Sequence, residues 1–152
     1  MRSVPRRLIG ANAVILDEQA RVLLVKHSYG RLNWEIPGGL VELDESVVEG
    51  ACREMREETG LDVVAEYLTG SYYEPANTTG GGMHIFVFLC AKQDPSAVPQ
   101  PDGTEITECG YWSVDALPRP INDFTIRRIT DALAPTNRYP LPATIGPRQW
   151  LE

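Results

Sequence analysis

The sequence is poor in the side chains that bind soft metals or cross-link a chain. Its 152 residues include three cysteines and two histidines. The cysteines, Cys52, Cys90 and Cys109, are odd in number and form no closely spaced pair. This pattern argues against a disulfide framework and against a structural zinc site. We therefore expect each cysteine to be a buried thiol.

Long hydrophobic runs are also missing. No stretch of about 18 apolar residues occurs, so the sequence offers no membrane span. Basic residues precede an apolar stretch near the N-terminus, but the small-x-small site Ala11-Asn12-Ala13 lies inside that stretch rather than after it. An export signal needs the opposite order. We expect a cytoplasmic protein without membrane contact.

Positive charge is in deficit. Fourteen lysines and arginines against 21 aspartates and glutamates give a formal net charge of −7. A surface of this sign repels the phosphate backbone of DNA or RNA, so we expect no nucleic-acid polymer as a partner. A small anionic substrate is compatible with the charge, provided that cations or local arginines reverse the field where it binds.

The length predicts a single domain. A chain of 152 residues buries about two-thirds of its unfolded surface, which is enough for one core. Residues 134–152 contain four prolines, which remove backbone donors and disfavour regular structure. We therefore assign residues 1–133 to the domain and 134–152 to a proline-rich tail. The tail is expected to wrap either its own domain or a partner subunit in a homodimer, and the sequence leaves both open.

Apolar periodicity and turn residues predict a mixture of strands and helices. Two strands joined by a polar turn, the pattern of a hairpin, are predicted at 7–16 and 22–27. The segment 28–45 is rich in glycine and proline, so it should be mostly irregular with short extended pieces. Later strands are predicted at 61–73, 83–91 and 110–113, and a second helix at 123–133, beginning at Asn122 or Asp123.

The first helix is predicted from Ser46 to Gly60. Ser46 and Glu49 have the spacing of a capping box, and Gly60 stands where a C-terminal cap is expected. Near its end the helix carries Glu54, Glu57 and Glu58 on one face. Like charges at this spacing repel by roughly 0.2–0.5 kcal/mol per pair, and the negative end of the helix dipole adds to the cost. A positive charge is therefore expected nearby.

A solvated acidic face is the simpler interpretation of this cluster. Gly50 argues against it, because glycine inside a helix costs about 1 kcal/mol relative to alanine. Its presence indicates that something approaches the helix backbone there. Clustered carboxylates without histidine or thiolate neighbours suit Mg2+ or Mn2+ rather than zinc or copper. Because Mg2+ commonly binds a few carboxylates together with substrate phosphates, the cluster indicates phosphate chemistry.

The spacing of this segment resembles the complete signature of the Nudix hydrolases over 23 residues. The chain reads Gly39, five residues, Glu45, seven residues, Arg53-Glu54, the aliphatic Met55, one residue, Glu57-Glu58, one residue, Gly60 and the aliphatic Leu61. The lead-in Trp34-Glu35-Ile36-Pro37-Gly38-Gly39 and the late Trp112, which follows an acidic pair, are also similar to the family. The resemblance covers roughly residues 8–133.

The resemblance implies a fold and an activity. The fold is a three-layer α/β/α sandwich around a mixed β-sheet, an α/β class protein, in which the motif forms a loop, a helix and a second loop. Family members hydrolyse a pyrophosphate bond in a nucleoside diphosphate linked to some other group. We therefore expect an enzyme that acts on phosphoric anhydride bonds in a small nucleotide.

The resemblance also assigns roles to residues of the motif. Glu54, Glu57 and Glu58 are expected to bind Mg2+ or Mn2+, together with the carbonyl oxygen of Gly39. Arg53 and Glu45 are expected to orient these carboxylates through paired hydrogen bonds and to offset part of their charge. The alternative for Arg53 is a surface ion pair with Glu49, one helical turn earlier.

The general base stays open between two parts of the chain. Some family members use the motif-helix glutamate that corresponds to Glu54, and others use a glutamate from a later loop, where this sequence offers Glu105 and Glu108. In an extended segment only one of these two can point at the motif helix. We expect Glu105, because it lies near Gly103 in a loop, whereas Glu108 is nearer the strand.

The substrate is the least determined feature. Pro75 follows Leu61 by 14 residues, close to the spacing of a proline in the family's ADP-ribose enzymes. We therefore favour ADP-ribose or a nucleoside diphosphate sugar. A house-cleaning nucleoside triphosphate pyrophosphatase is the runner-up. A Nudix-fold sensor that binds a nucleotide without cleaving it is a third hypothesis, although a sensor would not need three carboxylates held in mutual repulsion.

Other conspicuous residues receive structural interpretations. The Gly80-Gly81-Gly82 run leads into a strand rather than a helix, so it is interpreted as a strand connection and not as a phosphate loop. His27 and His84 lie far apart in sequence and are not expected to form a catalytic dyad. A ring that stacks on a nucleotide base is expected among Trp34, Tyr29, Tyr72 and Tyr73. Packing in the core is the commoner role of such rings.

Overall fold

The computed structural model describes residues 7–75 and 81–152. The start of the N-terminal basic segment and Gly80 of the glycine run lie outside these residues. The described elements, in chain order, are β1 (Leu8–Val14), β2 (Val22–His27), β3 (Trp34–Glu35), β4 (Gly38–Leu40), α1 (Val47–Thr59), β5 (Val63–Glu74), β6 (Met83–Lys92), β7 (Ile106–Trp112) and α2 (Asp123–Leu133).

Two β-sheets form the centre of the molecule. The larger has the order β4-β1-β6-β5, with β1 parallel to β6 and the other pairs antiparallel. The smaller has the order β3-β2-β7 and is antiparallel. The sheet that carries the motif is therefore mixed, as the resemblance implies.

Side chains alternate between the two faces of the larger sheet, and each face packs against one helix. On β1, Ala11 and Ala13 belong to the buried cluster that includes Met55 of α1. Val14 belongs to the second cluster, which includes Ile129 of α2. Because successive residues of a strand point to opposite faces, the two helices cover opposite sides. The α/β/α sandwich is confirmed.

The predicted helix α1 begins and ends where its local signals place it. Ser46 accepts the backbone N–H of Glu49 at 3.1 Å, and the Glu49 side chain accepts the N–H of Ser46 at 3.4 Å, so the capping box is complete. Gly60 is left-handed with φ 75°, and its N–H donates to the carbonyl of Arg56 at 2.8 Å. Helix α2 likewise begins after Asn122, whose side chain accepts the N–H of Thr125.

The hairpin predicted for the first two strands forms only beside the turn. A bridge between Leu16 and Val22 and a bond from the N–H of Leu23 to the carbonyl of Ile15 join them just beside the turn. Beyond that point they diverge into different sheets. The reason is that β4 and β6 occupy both hydrogen-bonding edges of β1, which leaves no edge for β2.

The remaining strand predictions differ from the structure mainly in length. Strand β7 begins at Ile106, four residues before the predicted start, because β2 continues to pair with it as far as His27. The irregular segment 28–45 contains the short strands β3 and β4, as expected. None of the helices in the described ranges is long and apolar enough to cross a membrane.

The proline-rich tail has little regular structure, as predicted. Its one bridge pairs Tyr139 with Leu68 of β5. Next to it, Arg138 donates to the carbonyls of Ala132 and Ala134 at 3.0 Å, which satisfies the end of α2. The start of the tail therefore packs on its own domain. The homodimer and the boundary after residue 133 stay predictions.

The left-handed cap of α1 gives a first testable prediction. Gly60 has open space around its Cα, so alanine there meets no atom but must adopt a positive φ. That conformation costs an L-residue roughly 1–2 kcal/mol. We expect Gly60→Ala to lower the free energy of unfolding by about this amount. The measurement is urea denaturation.

Gly146 provides the matched control. It also has open space around its Cα, but its φ is not in the left-handed region. Gly146→Ala should therefore leave the free energy of unfolding level or slightly higher. Equal effects of the two substitutions would contradict the assignment of the Gly60 cap.

Candidate active site

A network of charges centred on Arg53 surrounds the acidic face of α1. The guanidinium donates to Glu45 through Nη2 at 2.7 Å and through Nε at 2.9 Å. Its Nη1 donates to Glu54 at 3.0 Å and to Glu57 at 3.1 Å. The Glu49 carboxylate accepts the Ser46 N–H instead. Arg53 therefore binds Glu45, Glu54 and Glu57 rather than Glu49. The guanidinium supplies part of the positive charge that the crowded glutamates require.

The contacts of Arg53 change the ionisation of its partners. Hydrogen bonds from the guanidinium hold the pKa of Glu45 below its usual range, and the Glu45 carboxylate raises the pKa of Arg53. The same guanidinium donates to the carbonyl of Leu40 at 3.0 Å. Arg53 therefore joins the loop after β4 to the helix that carries the carboxylates.

Glu54 and Glu58 lie one helical turn apart and are both largely removed from water. Burial raises the pKa of Glu54, although the guanidinium of Arg53 opposes the shift. Burial, followed by the charge of Glu54, raises the pKa of Glu58 to about 9. The Gly38 N–H, which donates to Glu58 at 3.4 Å, acts in the opposite direction. Two carboxylates at such close quarters need a proton or a cation between them.

Gly39 lies directly against one of these carboxylates. A Cβ on Gly39 would stand 2.7 Å from Oε1 of Glu54. Since real Cβ atoms do not approach this closely, glycine is what allows the β4 backbone to meet the helix. Strand β4 reaches this position through its pairing with β1, in which Gly39 is opposite Ala11.

The donor set fits a hard divalent cation. Glu54, Glu57, Glu58 and the Gly39 carbonyl offer oxygen only, and carboxylates are what Mg2+ and Mn2+ prefer. In residues 7–75 and 81–152, no group of three or more His, Cys, Asp or Glu side chains is arranged to hold a metal ion. The side chain of Glu57 is 58% exposed and pairs with Arg53 at 3.1 Å.

Gly50 is required by the protein's own loop. A Cβ there would stand 2.9 Å from Oε1 of Glu45 and 3.1 Å from Cγ2 of Val41. The expectation that something approaches the helix at Gly50 is confirmed, and the approaching group is the segment that carries Glu45 to Arg53. Gly50 therefore supports the charge network by making room for the loop residue that binds Arg53.

The two candidate bases of the later loop have different surroundings. Glu105 is exposed in the loop before β7, and its charge is close enough to raise the pKa of Glu58, behind the larger effects of burial and of Glu54. The Ser28 N–H holds this loop by donating to the Glu105 carbonyl at 2.8 Å. Glu108 lies within β7 and pairs with Lys26 at 3.3 Å.

One aromatic pair lies beside the carboxylates. The Tyr29 ring stacks on His27 with centroids 4.7 Å apart and is 55% exposed. Burial of its hydroxyl, followed by the charges of Glu58 and Glu105, raises the pKa of Tyr29. The other candidate rings face elsewhere: Trp34 packs on Trp112, Tyr72 donates to Asp131, and Tyr73 lies beside His84. His27 and His84 contact different tyrosines and do not contact each other.

A second polar network, which the sequence patterns did not predict, lies next to this site. It joins Arg128 of α2 to Asn12 of β1 and to Glu35 of β3. One signal in the sequence could have found it. Arg128 follows Phe124 by four residues and precedes Ile129, so it is a charged residue within the apolar stripe of a helix.

The comparisons with known proteins identify the family. The NUDIX domain model matches residues 6–133. A MutT-like protein of Streptomyces ambofaciens is 33% identical over 86% of this chain and 80% of its own length. A putative 8-oxo-dGTP diphosphatase of Bacillus subtilis (strain 168) is 34% identical, covering 76% and 78%. An ADP-ribose pyrophosphatase of Methanocaldococcus jannaschii is 29% identical, covering 69% and 62%.

Solved structures agree with this assignment. A NUDIX hydrolase from Nitrosomonas europaea superposes with a TM-score of 0.75 and 27% identity over 90% of this chain and 94% of that one. An ADP-ribose pyrophosphatase from Streptococcus suis 89-1591 superposes with a TM-score of 0.66 and 25% identity, covering 85% and 93%. Together with the charge network on α1, these matches lead to one conclusion: the chain belongs to the Nudix hydrolases, enzymes that act on phosphoric anhydride bonds of nucleotide-linked substrates.

Proposed function

We propose that the protein is a Mg2+-dependent pyrophosphohydrolase that cleaves a nucleoside diphosphate linked to another group. The observation that carries the proposal is the placement of the Glu54 and Glu58 carboxylates one helical turn apart, largely removed from water, against the backbone of Gly39 and Gly38. Such a pair is unfavourable unless a cation or a proton joins it. The all-oxygen donor set favours Mg2+, with Mn2+ as a substitute.

ADP-ribose or a nucleoside diphosphate sugar is the favoured substrate. Two similar proteins are named ADP-ribose pyrophosphatases, and the position of Pro75 is close to the proline spacing of such enzymes. The runner-up is a house-cleaning nucleoside triphosphate pyrophosphatase, supported by the Bacillus relative named a putative 8-oxo-dGTP diphosphatase. The intact set of carboxylates on α1 argues against a sensor without catalysis.

The motif residues have separate roles in this proposal. Glu54, Glu57, Glu58 and the carbonyl of Gly39 would hold the metal. When bound, Mg2+ neutralises phosphate oxygens and lowers the pKa of coordinated water. Arg53 orients the carboxylates through its hydrogen bonds to Glu54 and Glu57 and is itself held by Glu45. Arg53 thereby supports catalysis as a positioning residue of the motif.

The reaction is a displacement at phosphorus by water. The water oxygen forms the new P–O bond, and the bridging oxygen leaves with the electron pair of the bond that breaks. Glu105 accepts the proton from the attacking water, since it is exposed in a loop whose charge acts on Glu54 and Glu58. Glu54 is the alternative base.

Neutralising Glu58 tests the metal assignment. Glu58→Gln removes a proposed ligand, so it should weaken Mn2+ binding and abolish most turnover. It also replaces a carboxyl group, whose ionisation burial and Glu54 disfavour, with a neutral amide, so the melting temperature without metal should stay level or rise. Steady-state kinetics, calorimetric Mn2+ titration and thermal melts in chelator measure the three effects.

Glu66→Gln is the control for this substitution, because Glu66 is exposed on β5. It should leave all three quantities unchanged. Full activity of Glu58→Gln, or activity of the unaltered protein in excess chelator, would rule out the metal assignment.

The products identify the bond that breaks. ADP-ribose should yield AMP and ribose 5-phosphate, because water attacks one phosphorus of the diphosphate. In 18O-labelled water, one of the two products should carry the label, which mass spectrometry locates. Release of ADP or inorganic phosphate from ADP-ribose would contradict the proposal. Cleavage of 8-oxo-dGTP in preference to ADP-ribose would favour the runner-up.

Three glutamine substitutions separate the general base from the metal ligands. Glu105→Gln should lower kcat by roughly 10²–10⁴ and leave Mg2+ dependence unchanged. Glu54→Gln should lower kcat and weaken metal binding together. Glu108→Gln is the matched control, because Glu108 pairs with Lys26, and should keep activity near wild type.

Measurement of kcat over a Mg2+ series decides between these outcomes. Removal of a general base lowers kcat by roughly 10²–10⁴. If Glu105→Gln retains more than about a tenth of the wild-type kcat, Glu105 is not the base and Glu54 takes that role.

A further inference from the structure

Arg128 is a buried charge on the face of α2 that packs against the sheet. Its side chain is 6% exposed, and its guanidinium lies 4.1 Å above the ring of Phe124. Nη1 donates to Oδ1 of Asn12 at 2.9 Å, and Nη2 donates to both carboxylate oxygens of Glu35 at 3.0 Å. One guanidinium thus connects α2 to β1 and to β3.

Asn12 joins Arg128 to the backbone segment that leads into the motif. Its Nδ2 donates to the carbonyl of Ile36 at 3.2 Å and to that of Pro37 at 3.4 Å. Asn12 is also the residue opposite Gly38 in the β1–β4 pairing. A Cβ on Gly38 would overlap Nδ2 of Asn12 and the Ala11 carbonyl, so the turn fits closely around the amide.

Glu35 holds the other side of the same turn. Its carboxylate accepts the N–H of Ile36 at 2.8 Å and the hydroxyl of Thr125 at 2.9 Å. The backbone of Ile36 is therefore fixed at both its N–H and its carbonyl. Both anchoring side chains, Asn12 and Glu35, are in turn bound by Arg128.

The turn ends at the two backbone groups that meet the carboxylates of α1. Gly38 donates its N–H to Glu58, and Gly39 lies against Glu54. A buried ion pair contributes little net stability compared with apolar residues of similar volume. An arginine at this position is better explained by the geometry that it imposes than by the stability that it adds.

We propose that Arg128 is a positioning residue, which acts through Asn12 and Glu35 to fix the Ile36–Pro37–Gly38 turn so that Gly38 and Gly39 meet Glu58 and Glu54. Helix α2 thereby controls the shape of a metal site to which it contributes no ligand. The inference rests on the proposed metal site for its effect on catalysis. The effect on the turn itself does not depend on any metal.

The test uses the full chain and measures the turn directly. In Arg128→Met, amide hydrogen exchange at Gly38 and Gly39, followed by NMR without metal, should be faster by roughly tenfold or more. Mn2+ binding, measured by calorimetry, should weaken by roughly 10–100-fold, as for other groups that orient metal ligands. Arg127→Met is the matched control, since Arg127 is the next residue of α2, 68% exposed and bound to Asp131, and both quantities should stay at wild-type values.

A double substitution separates positioning from stability. Arg128→Met alone leaves Glu35 as an uncompensated, partly buried charge, which can destabilise the fold. Glu35→Gln with Arg128→Met removes both charges, so this protein should keep a wild-type melting temperature and still show fast exchange and weak Mn2+ binding. Arg128→Lys, with one nitrogen in place of a fork, should give intermediate values.

The outcomes distinguish this inference from the proposed function. Slow exchange at Gly38 and Gly39 and full Mn2+ affinity in the folded double variant would overturn the positioning role. Loss of the fold in the double variant would also overturn it, since the network would then be needed for stability. If the unaltered protein binds no Mn2+ and hydrolyses no nucleotide, the proposed function fails, while the exchange rates still decide the role of Arg128.

Discussion

Electrostatic repulsion between the carboxylates of α1 is the constraint on which the rest of the structure depends. Glu54 and Glu58 are one turn apart and largely removed from water, and the charge of Glu54 disfavours the ionisation of Glu58. Arg53 relieves part of this repulsion by donating to Glu54, and Gly38 donates its N–H to Glu58. These contacts do not supply a full counter-charge for the two carboxylates. Carboxylates that bind a cation lack a counter-charge in this way before the cation binds.

The scaffold holds this unfavourable arrangement from several directions. The helix is fixed by a capping box at Ser46 and a left-handed glycine at Gly60, and its apolar side packs under the mixed sheet through Ala51 and Met55. The loop before it is held close by Glu45, which needs a glycine at position 50 to fit. Burial of the apolar side stabilises the helix by the hydrophobic effect, and this stabilisation offsets the cost of the crowded acidic side.

Helix α2 has an equivalent role on the opposite face of the sheet. Through Arg128 it contacts β1 and β3, and through Asn12 it reaches the backbone of the turn before the motif. Different helices thus position the two parts of the acidic site. Helix α1 carries the glutamate side chains, and α2 supports the Gly38 and Gly39 backbone that lies against them. A rigid scaffold of this kind lets catalytic groups keep a geometry that they would not adopt alone.

The sequence by itself determined the elements whose signals are local. The bounds of α1 and α2 follow from caps and apolar spacing within a few residues, and the glutamates of the motif share a face because helix geometry alone places them there. Tertiary structure decided which strands pair and which distant side chains meet. Strand β1 pairs with β4 and β6 rather than with β2, and Arg128 meets partners 116 and 93 residues away. The physical reason is that caps and helical faces depend on bonds between near neighbours in the chain, whereas strand partners and buried ion pairs depend on which surfaces the whole fold brings together and removes from water.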